Sequence, residues 1–223
     1  MRNIALIPLR GGSKGIPGKN LKELNGKPLC SYAINAALNS KKIDEVWVSS
    51  DDKTIIDFIT LEFPKVKIRK RPAEFATDTA STESVILDLI SAQNFSLKDQ
   101  IILIQATSPL IVFNDLDLAL EQLENSPLNS LVSGVEFKRF LWNKDGIPIN
   151  YDIYDRPRRQ DFDGIFLENG AFYISTVETI LKTKNRVEIP AELYLMREES
   201  AYEIDEISDW IIVESLLSNR KDE

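Results

Sequence analysis

From residue 7 to residue 20 the chain reads Ile-Pro-Leu-Arg-Gly-Gly-Ser-Lys-Gly-Ile-Pro-Gly-Lys-Asn, with four glycines, two lysines and one arginine. Glycines let a backbone approach a polyphosphate closely, and successive free N–H groups form an anion-binding concavity. Arg10, Lys14 and Lys19 add the positive charge such a ligand requires. The spacing is neither the G-x-x-x-x-G-K-[ST] of a P-loop nor the G-x-G-x-x-G of a dinucleotide fold. A solvated surface loop has the same composition, so both readings stay open on the loop alone. A second candidate lies near the other end, in Glu203-Ile-Asp-Glu-Ile-Ser-Asp-Trp210. On a strand, Glu203 and Asp205 would share one face and suit a hard divalent cation. The alternative is acidic dressing of the last helix's start, a role that fits Asp209.

Composition narrows the chemistry further. The chain has no histidine, which excludes imidazole ligands and histidine-based triads. Its single cysteine, Cys30, excludes an internal disulfide and a thiolate zinc site. Acid–base work therefore falls to carboxylates, Lys, Tyr or a metal. The formal net charge of −8 repels a nucleic-acid backbone, whereas a small anion can still be held by a local cluster of cations. No run approaches the roughly 18 apolar residues of a membrane span. The apolar run at residues 4–9 is too short for a secretory signal, so a cytoplasmic protein is expected.

These residues need a frame. Strand patterns at residues 4–9, 46–49, 66–69, 101–105 and 131–136 alternate with helical patterns at 28–39, 52–61, 82–92 and 115–123. That rhythm predicts an α/β fold, a mostly parallel sheet with helices on both faces. Ligands then sit beyond the carboxyl ends of the strands, which selects loops 9–20, 50–52 and 106–111. Residues 138–170 break the rhythm and are too long for an ordinary connection, which marks a functional excursion. Regular patterns resume as a strand at 171–175, a helix at 176–183, a strand at 193–197 and a closing helix at 208–218. At 223 residues, one domain spanning 1–223 is expected.

Four separated stretches then carry a resemblance. Arg10-Gly-Gly-Ser-Lys-Gly…Gly18-Lys19-Asn20, Arg71-Pro-Ala-Glu-Phe-Ala-Thr-Asp-Thr-Ala-Ser-Thr82, Gln105-Ala-Thr-Ser-Pro-Leu110, and Arg156-Pro-Arg-Arg-Gln-Asp-Phe-Asp-Gly with Glu168-Asn-Gly-Ala-Phe-Tyr173 occur in this order. Together they resemble the CMP-sialic acid synthetase (acylneuraminate cytidylyltransferase) family, and the last stretch is similar to its animal-type sialate/KDN branch. The resemblance implies transfer of CMP from CTP to a nine-carbon acid sugar, with Mg²⁺, in a nucleotidyltransferase Rossmann-like fold. It implies that Arg10, Gly11, Gly12, Ser13, Lys14 and Lys19 hold the triphosphate, with Arg10, Lys19 and Asp205 catalytic. Asn20 would hold the ribose, and Arg71, Ala80 and Ser81 the cytosine. Gln105, Arg159, Gln160 and Tyr173 would meet the sugar, and Asp205 with Glu203 the metal. It further implies a homodimer in which residues 138–170 form the contact, burying Phe162, Ile165 and Phe166 and completing the partner's site.

Each role has a plainer rival. Arg71 could belong to a solvated strand end, and Gln105 could only satisfy local backbone. Tyr173 could be a core residue with a paired hydroxyl, and Arg159 could make interface ion pairs. The family's first metal aspartate is Glu203 here, and a bacterial His-Pro…Lys motif is replaced by Glu136-Phe-Lys-Arg-Phe-Leu-Trp142, where Lys138 or Arg139 could supply the charge. Other ulosonic acids (legionaminate, pseudaminate or KDO) remain rival substrates. A non-catalytic nucleotide-sugar binding protein is the rival from another class.

Overall fold

A computed structural model describes residues 1–220; the last three residues of the 1–223 span lie outside it. In chain order its main elements are β1 (Asn3–Pro8), β2 (Glu23–Leu24), β3 (Lys27–Pro28), α1 (Leu29–Asn39), β4 (Glu45–Ser50), α2 (Lys53–Glu62), β5 (Lys67–Lys70), α3 (Thr82–Ala92) and β6 (Gln100–Ile104). Then follow α4 (Phe113–Glu124), β7 (Ser130–Phe137), β8 (Ile165–Thr176), α5 (Val177–Thr183), β9 (Glu192–Leu195) and α6 (Ile207–Asn219). Seven strands form one sheet in the order β5-β4-β1-β6-β8-β7-β9. Only β8 runs against its neighbours, pairing antiparallel with both β6 and β7. The expected mostly parallel α/β fold is what the chain adopts.

Alternation along the central strands sends side chains into two cores. Ala5, Ile7, Ile102 and Ile104 pack towards α1, α2 and α4 through Ala33, Ile59 and Leu116. Ile4, Leu6, Ile101 and Leu103 pack towards α3 and α5 through Ile86, Leu89 and Ile180. Strands buried on both faces read as continuous apolar runs, as residues 4–7 and 101–104 do. The helix starts are fixed locally. Asp52 caps α2 by accepting from the N–H groups of Thr54 and Ile55, and Ser81 caps α3 by accepting from that of Ser84. A third, smaller core joins Ile16, Leu24, Leu29, Leu110, Ile204, Trp210 and Val213, and so fastens α6 against the loop after β1.

Two expectations are corrected. The irregular excursion ends at Gly164 and not at residue 170, because β8 already begins at Ile165. Its first half is hidden from sequence by an irregular register opposite residues 132–134 and by Gly170, whose φ of 67° interrupts the strand pattern. Residues 203–205 do not form a strand either. They are extended, tied to the body by the Ile204 N–H donating to the Thr107 carbonyl at 2.7 Å. Ile204 is buried while Glu203 and Asp205 face outward, so the alternation survives without a ladder. Among the described residues no helix is long and apolar enough to cross a membrane.

Candidate active site

The loops after β1, β4 and β6 converge at the carboxyl edge of the parallel strands, where the topology places a ligand. A cleft of about 280 Å³ opens there, lined by Arg10, Asn20, Arg71, Ala80, Ser81 and Gln105 among others. These six residues, all singled out by sequence, are thus brought together from separate loops. Asn20 is buried and donates from Nδ2 to the Arg10 carbonyl at 2.9 Å, which ties the end of the loop to its start. The Gly11 N–H donates to Asp51 at 3.2 Å. A Cβ on Gly11 would collide with the Asp52 side chain, so the loop lies directly against the α2 cap. Gly12 has open space around it, and Ser13 turns back through its N–H to the Gly11 carbonyl.

Arg71 is no solvated strand end. It is buried, and its guanidinium donates to the Ser49 hydroxyl at 3.1 Å and the Ser49 carbonyl at 2.7 Å. Burial pulls its pKa down from the ordinary guanidinium value. Arg10 and Lys14 both reach Asp78, at 3.0 and 2.8 Å, across the mouth of the cleft. Lys19 turns the other way, donating from Nζ to the Ile204 carbonyl at 2.7 Å and to Asp205 at 3.2 Å.

That last contact builds the acidic side of the site. Glu203 keeps an exposed surface, but its partial burial, then the charge of Asp205, push its pKa up. Lys19 opposes this shift, while Asp209 and Glu168 add to it. Such a crowd of like charges is the setting a divalent cation relieves. Among the described residues, no group of three or more His, Cys, Asp or Glu comes together as a complete metal site. Mg²⁺ commonly takes only one or two carboxylates and completes its shell with water and substrate phosphate, so Glu203 and Asp205 fit it. Asp209 is already engaged: in the first turn of α6 it reaches back to accept from the N–H groups of Asp205 and of Glu206, the N-cap, at 3.0 and 2.8 Å.

The third side follows from the reversed strand. Because β8 runs against β6, its Glu168–Ala171 stretch lies beside Gln105, whose N–H donates to the Ala171 carbonyl at 3.0 Å. A Cβ on Gly170 would sit 2.9 Å from Glu203 Oε2 and 3.4 Å from Gln105 Nε2. Tyr173 follows its plainer reading: it is buried, and its hydroxyl donates to Glu168. Burial and that carboxylate raise its pKa. Arg186 lies 5.1 Å over the Tyr173 ring and pairs with Glu83 at 2.6 Å. Glu83, Glu168, Tyr173 and Arg186 line a second cavity, of about 610 Å³.

Arg159 and Gln160 do not reach this cleft within one protomer. Arg159 lines a separate depression with Lys138, Arg139, Glu198, Glu199 and Tyr202, and Gln160 is exposed in a short 3-10 turn. Phe162 is buried against Phe140 of its own chain, ring centres 4.9 Å apart, so it is not free to be buried by a second subunit. Sequence reasoning misses Asp78, which lines the cleft, and Glu168 and Arg186, which line the second cavity. The first two lie inside the shared motifs, but a lone carboxylate there gives no sign of the cation or hydroxyl it meets. Arg186 lies in an unpatterned turn.

An open α/β sheet, a glycine–cation loop at its carboxyl edge and a facing pair of carboxylates define a nucleotidyltransferase-like site. A family model described as Cytidylyltransferase matches residues 4–208, and the chain belongs to that family. It is 38% identical over 217 residues to an N-acylneuraminate cytidylyltransferase of Oncorhynchus mykiss, covering 94% of this chain and 49% of the relative. The chain thus spans about half the length of the fish relatives it matches. It is 32% identical over 219 residues to a pseudaminic acid cytidylyltransferase of Campylobacter jejuni, covering 94% and 93% of the two chains. A solved CMP:2-keto-3-deoxy-manno-octonic acid synthetase complexed with CTP shares the fold, with a TM-score of 0.70 at 17% identity over 98% of this chain and 99% of the other.

Gly15 is where the two halves of the site touch, because a Cβ there would overlap the Asp205 carbonyl oxygen. Gly15→Ala is therefore expected to lower the free energy of urea unfolding by about 1–3 kcal/mol, as overpacking does. Gly12→Ala, with open space around it, is expected to stay within about 0.5 kcal/mol of the parent.

Proposed function

We propose that this chain transfers CMP from CTP to the anomeric hydroxyl of a sialic acid, N-acetylneuraminate or KDN, and releases pyrophosphate. The observation that carries the reading is the single cleft that unites Arg10, Asn20, Arg71, Ala80, Ser81 and Gln105, with the Lys19–Asp205 pair on the same loop system. The relatives' names support the reaction class. In this reading the hydroxyl oxygen attacks the α-phosphorus in line and passes its proton to water as the new P–O bond forms. The bond to the β-phosphate breaks, and charge builds on the departing pyrophosphate. Arg10 and Lys14 face that charge, while buried Arg71, held by Ser49, stands at the base end. Mg²⁺, held by Asp205 and Glu203, would lower the hydroxyl's pKa and neutralise developing phosphate charge. Everything else is positioning and electrostatics, which is how phosphoryl transfer generally proceeds. The reaction belongs in the cytoplasm, where CTP is available.

A second acceptor, pseudaminic acid, is favoured by one finding: the Campylobacter relative matches along nearly its whole length. We infer a homodimer through the excursion at residues 138–164. It exposes Trp142, Ile147, Ile149, Ile153 and Tyr154, the last at 96%, a concentration of apolar surface that monomers rarely leave in water. A partner there is also the way for Arg159 to reach a cleft it does not reach in its own chain.

The reading is tested by pyrophosphate release with CTP, Mg²⁺ and a panel of nine-carbon acids. Release is expected with N-acetylneuraminate or KDN and CTP, and much less with UTP; no release with any acid would overturn it. Asp205→Asn is expected to cut turnover by orders of magnitude while CTP still binds. Asp209→Asn should cost only the cap's worth of stability, about 1 kcal/mol. Sedimentation should give twice the 25.3 kDa chain mass. A monomer with full turnover would remove both the dimer and the partner's contribution.

A further inference from the structure

Asp78 is placed between two of the cations assigned to the phosphates. Its Oδ1 accepts from Arg10 Nη1 at 3.0 Å, and its Oδ2 pairs with Lys14 Nζ at 2.8 Å. Among the described residues, the polar side-chain contacts that join loop 10–20 to the wall at 76–82 are these two. A carboxylate offers two oxygens to two cations much as a phosphate would offer two of its own. The same side chain cannot stay there when a polyphosphate arrives, because the like charges would repel across a few ångströms.

The surroundings suit displacement. Asp78 is half exposed and sits in an open turn closed by the Ala80 N–H donating to the Thr77 carbonyl at 3.2 Å. Just beyond this turn, Ser81 is held as the cap of α3 and keeps that end of the wall fixed. The Lys14 hydrogen bond, helped by the charge of Arg10, holds the Asp78 carboxyl below its usual range, so it is ionised at neutral pH. Exposed ion pairs of this kind are weak, so a multiply charged ligand can outcompete them.

We propose that Asp78 is a built-in phosphate surrogate, which neutralises and pre-aims Arg10 and Lys14 before nucleotide binds and competes with the triphosphate and with pyrophosphate for them. Entry of the nucleotide frees Asp78 and loosens the turn beside the proposed base-reading residues Ala80 and Ser81. Return of Asp78 to the two cations helps to expel pyrophosphate. Asp78 is thus a positioning residue that acts through Arg10 and Lys14. The inference rests on the polyphosphate reading of loop 10–20 and not on the identity of the base or the sugar.

The test is titration calorimetry of inorganic pyrophosphate, with Mg²⁺, on the full chain and on Asp78→Asn. The thermal midpoint of each protein checks that both are folded. Asp78→Asn is expected to bind pyrophosphate about three- to tenfold more tightly, and its turnover should fall where product release limits it. Asp78→Glu should restore the parent affinity. Equal or weaker binding by Asp78→Asn overturns the inference, since a residue that only supported the loop would lose affinity on replacement. Binding of pyrophosphate by neither protein overturns it as well. Tighter binding in a protein that activates no acid sugar would leave the inference standing and remove the reaction proposed above; turnover with unchanged pyrophosphate affinity would do the reverse.

Discussion

The site depends on one long-range junction, the meeting of residues 15–19 with residues 204–205. Ile16 and Ile204 are both buried in the third core, together with Trp210 and Val213 of α6. Lys19 donates to the Ile204 carbonyl, and Gly15 leaves room for the Asp205 carbonyl. The glycine–cation loop and the acidic segment lie 186 residues apart in sequence at the Lys19–Asp205 pair, yet neither has a long regular element of its own to hold it. Apolar burial supplies the non-directional attraction, and the lysine hydrogen bonds supply the register. A side chain at position 15 would separate the two parts even with every charged residue intact.

Charge is handled by the same economy of contacts. The chain is acidic overall, with a net charge of −8, yet it concentrates cations at one edge of the sheet. Those cations are met by the chain's own carboxylates: Arg10 and Lys14 by Asp78, and Lys19 by Asp205. Arg71, the buried one, faces neutral oxygens of Ser49 instead. Pairing the exposed cations limits their mutual repulsion before any ligand is present. Burial pulls the pKa of this guanidinium down, and the charge of Asp51 opposes the shift. An anion arriving at this edge therefore meets donors that are already aimed.

The sheet and its helices are legible in the sequence because their cause is local. Continuous apolar runs at residues 4–7 and 101–104 require burial on both faces, and the helical patterns at 52–61 and 82–92 begin where the structure shows Asp52 and Ser81 capping the helices. The loops at the carboxyl edge follow from topology. What stays hidden depends on contacts between distant segments. The first half of β8 lacks clean alternation, since it must pass the irregular pairing at residues 132–134 and the left-handed Gly170. For Glu203 and Asp205, alternation gives the correct facing sides but suggests a strand that does not form, because it fixes side-chain direction and says nothing of a neighbouring strand to bond. The Asp78 and Arg186 ion pairs have no local signature at all.

The reversed direction of β8 explains why the side of the cleft beside Gln105 is harder to read from sequence. Loops that follow parallel strands announce themselves, as the runs after β1 and β6 do. An antiparallel strand instead brings its middle to the same edge, so Gly170 meets Gln105 and Glu203 from within a strand, and Glu168 and Tyr173 line the neighbouring cavity. There the side chains obey two demands at once, since Tyr173 fills the α3–α5 core and also gives its hydroxyl to Glu168. Gly170 obeys a third, leaving space for the Glu203 carboxylate that the C-terminal segment delivers. On the proposed reaction, the parallel half of the sheet holds the nucleotide, the antiparallel strand shapes the acceptor's side, and the segment at 203–205 stands between them. Substrate choice can then change along β8 and the turn carrying Arg186 while the glycine–cation loop remains untouched.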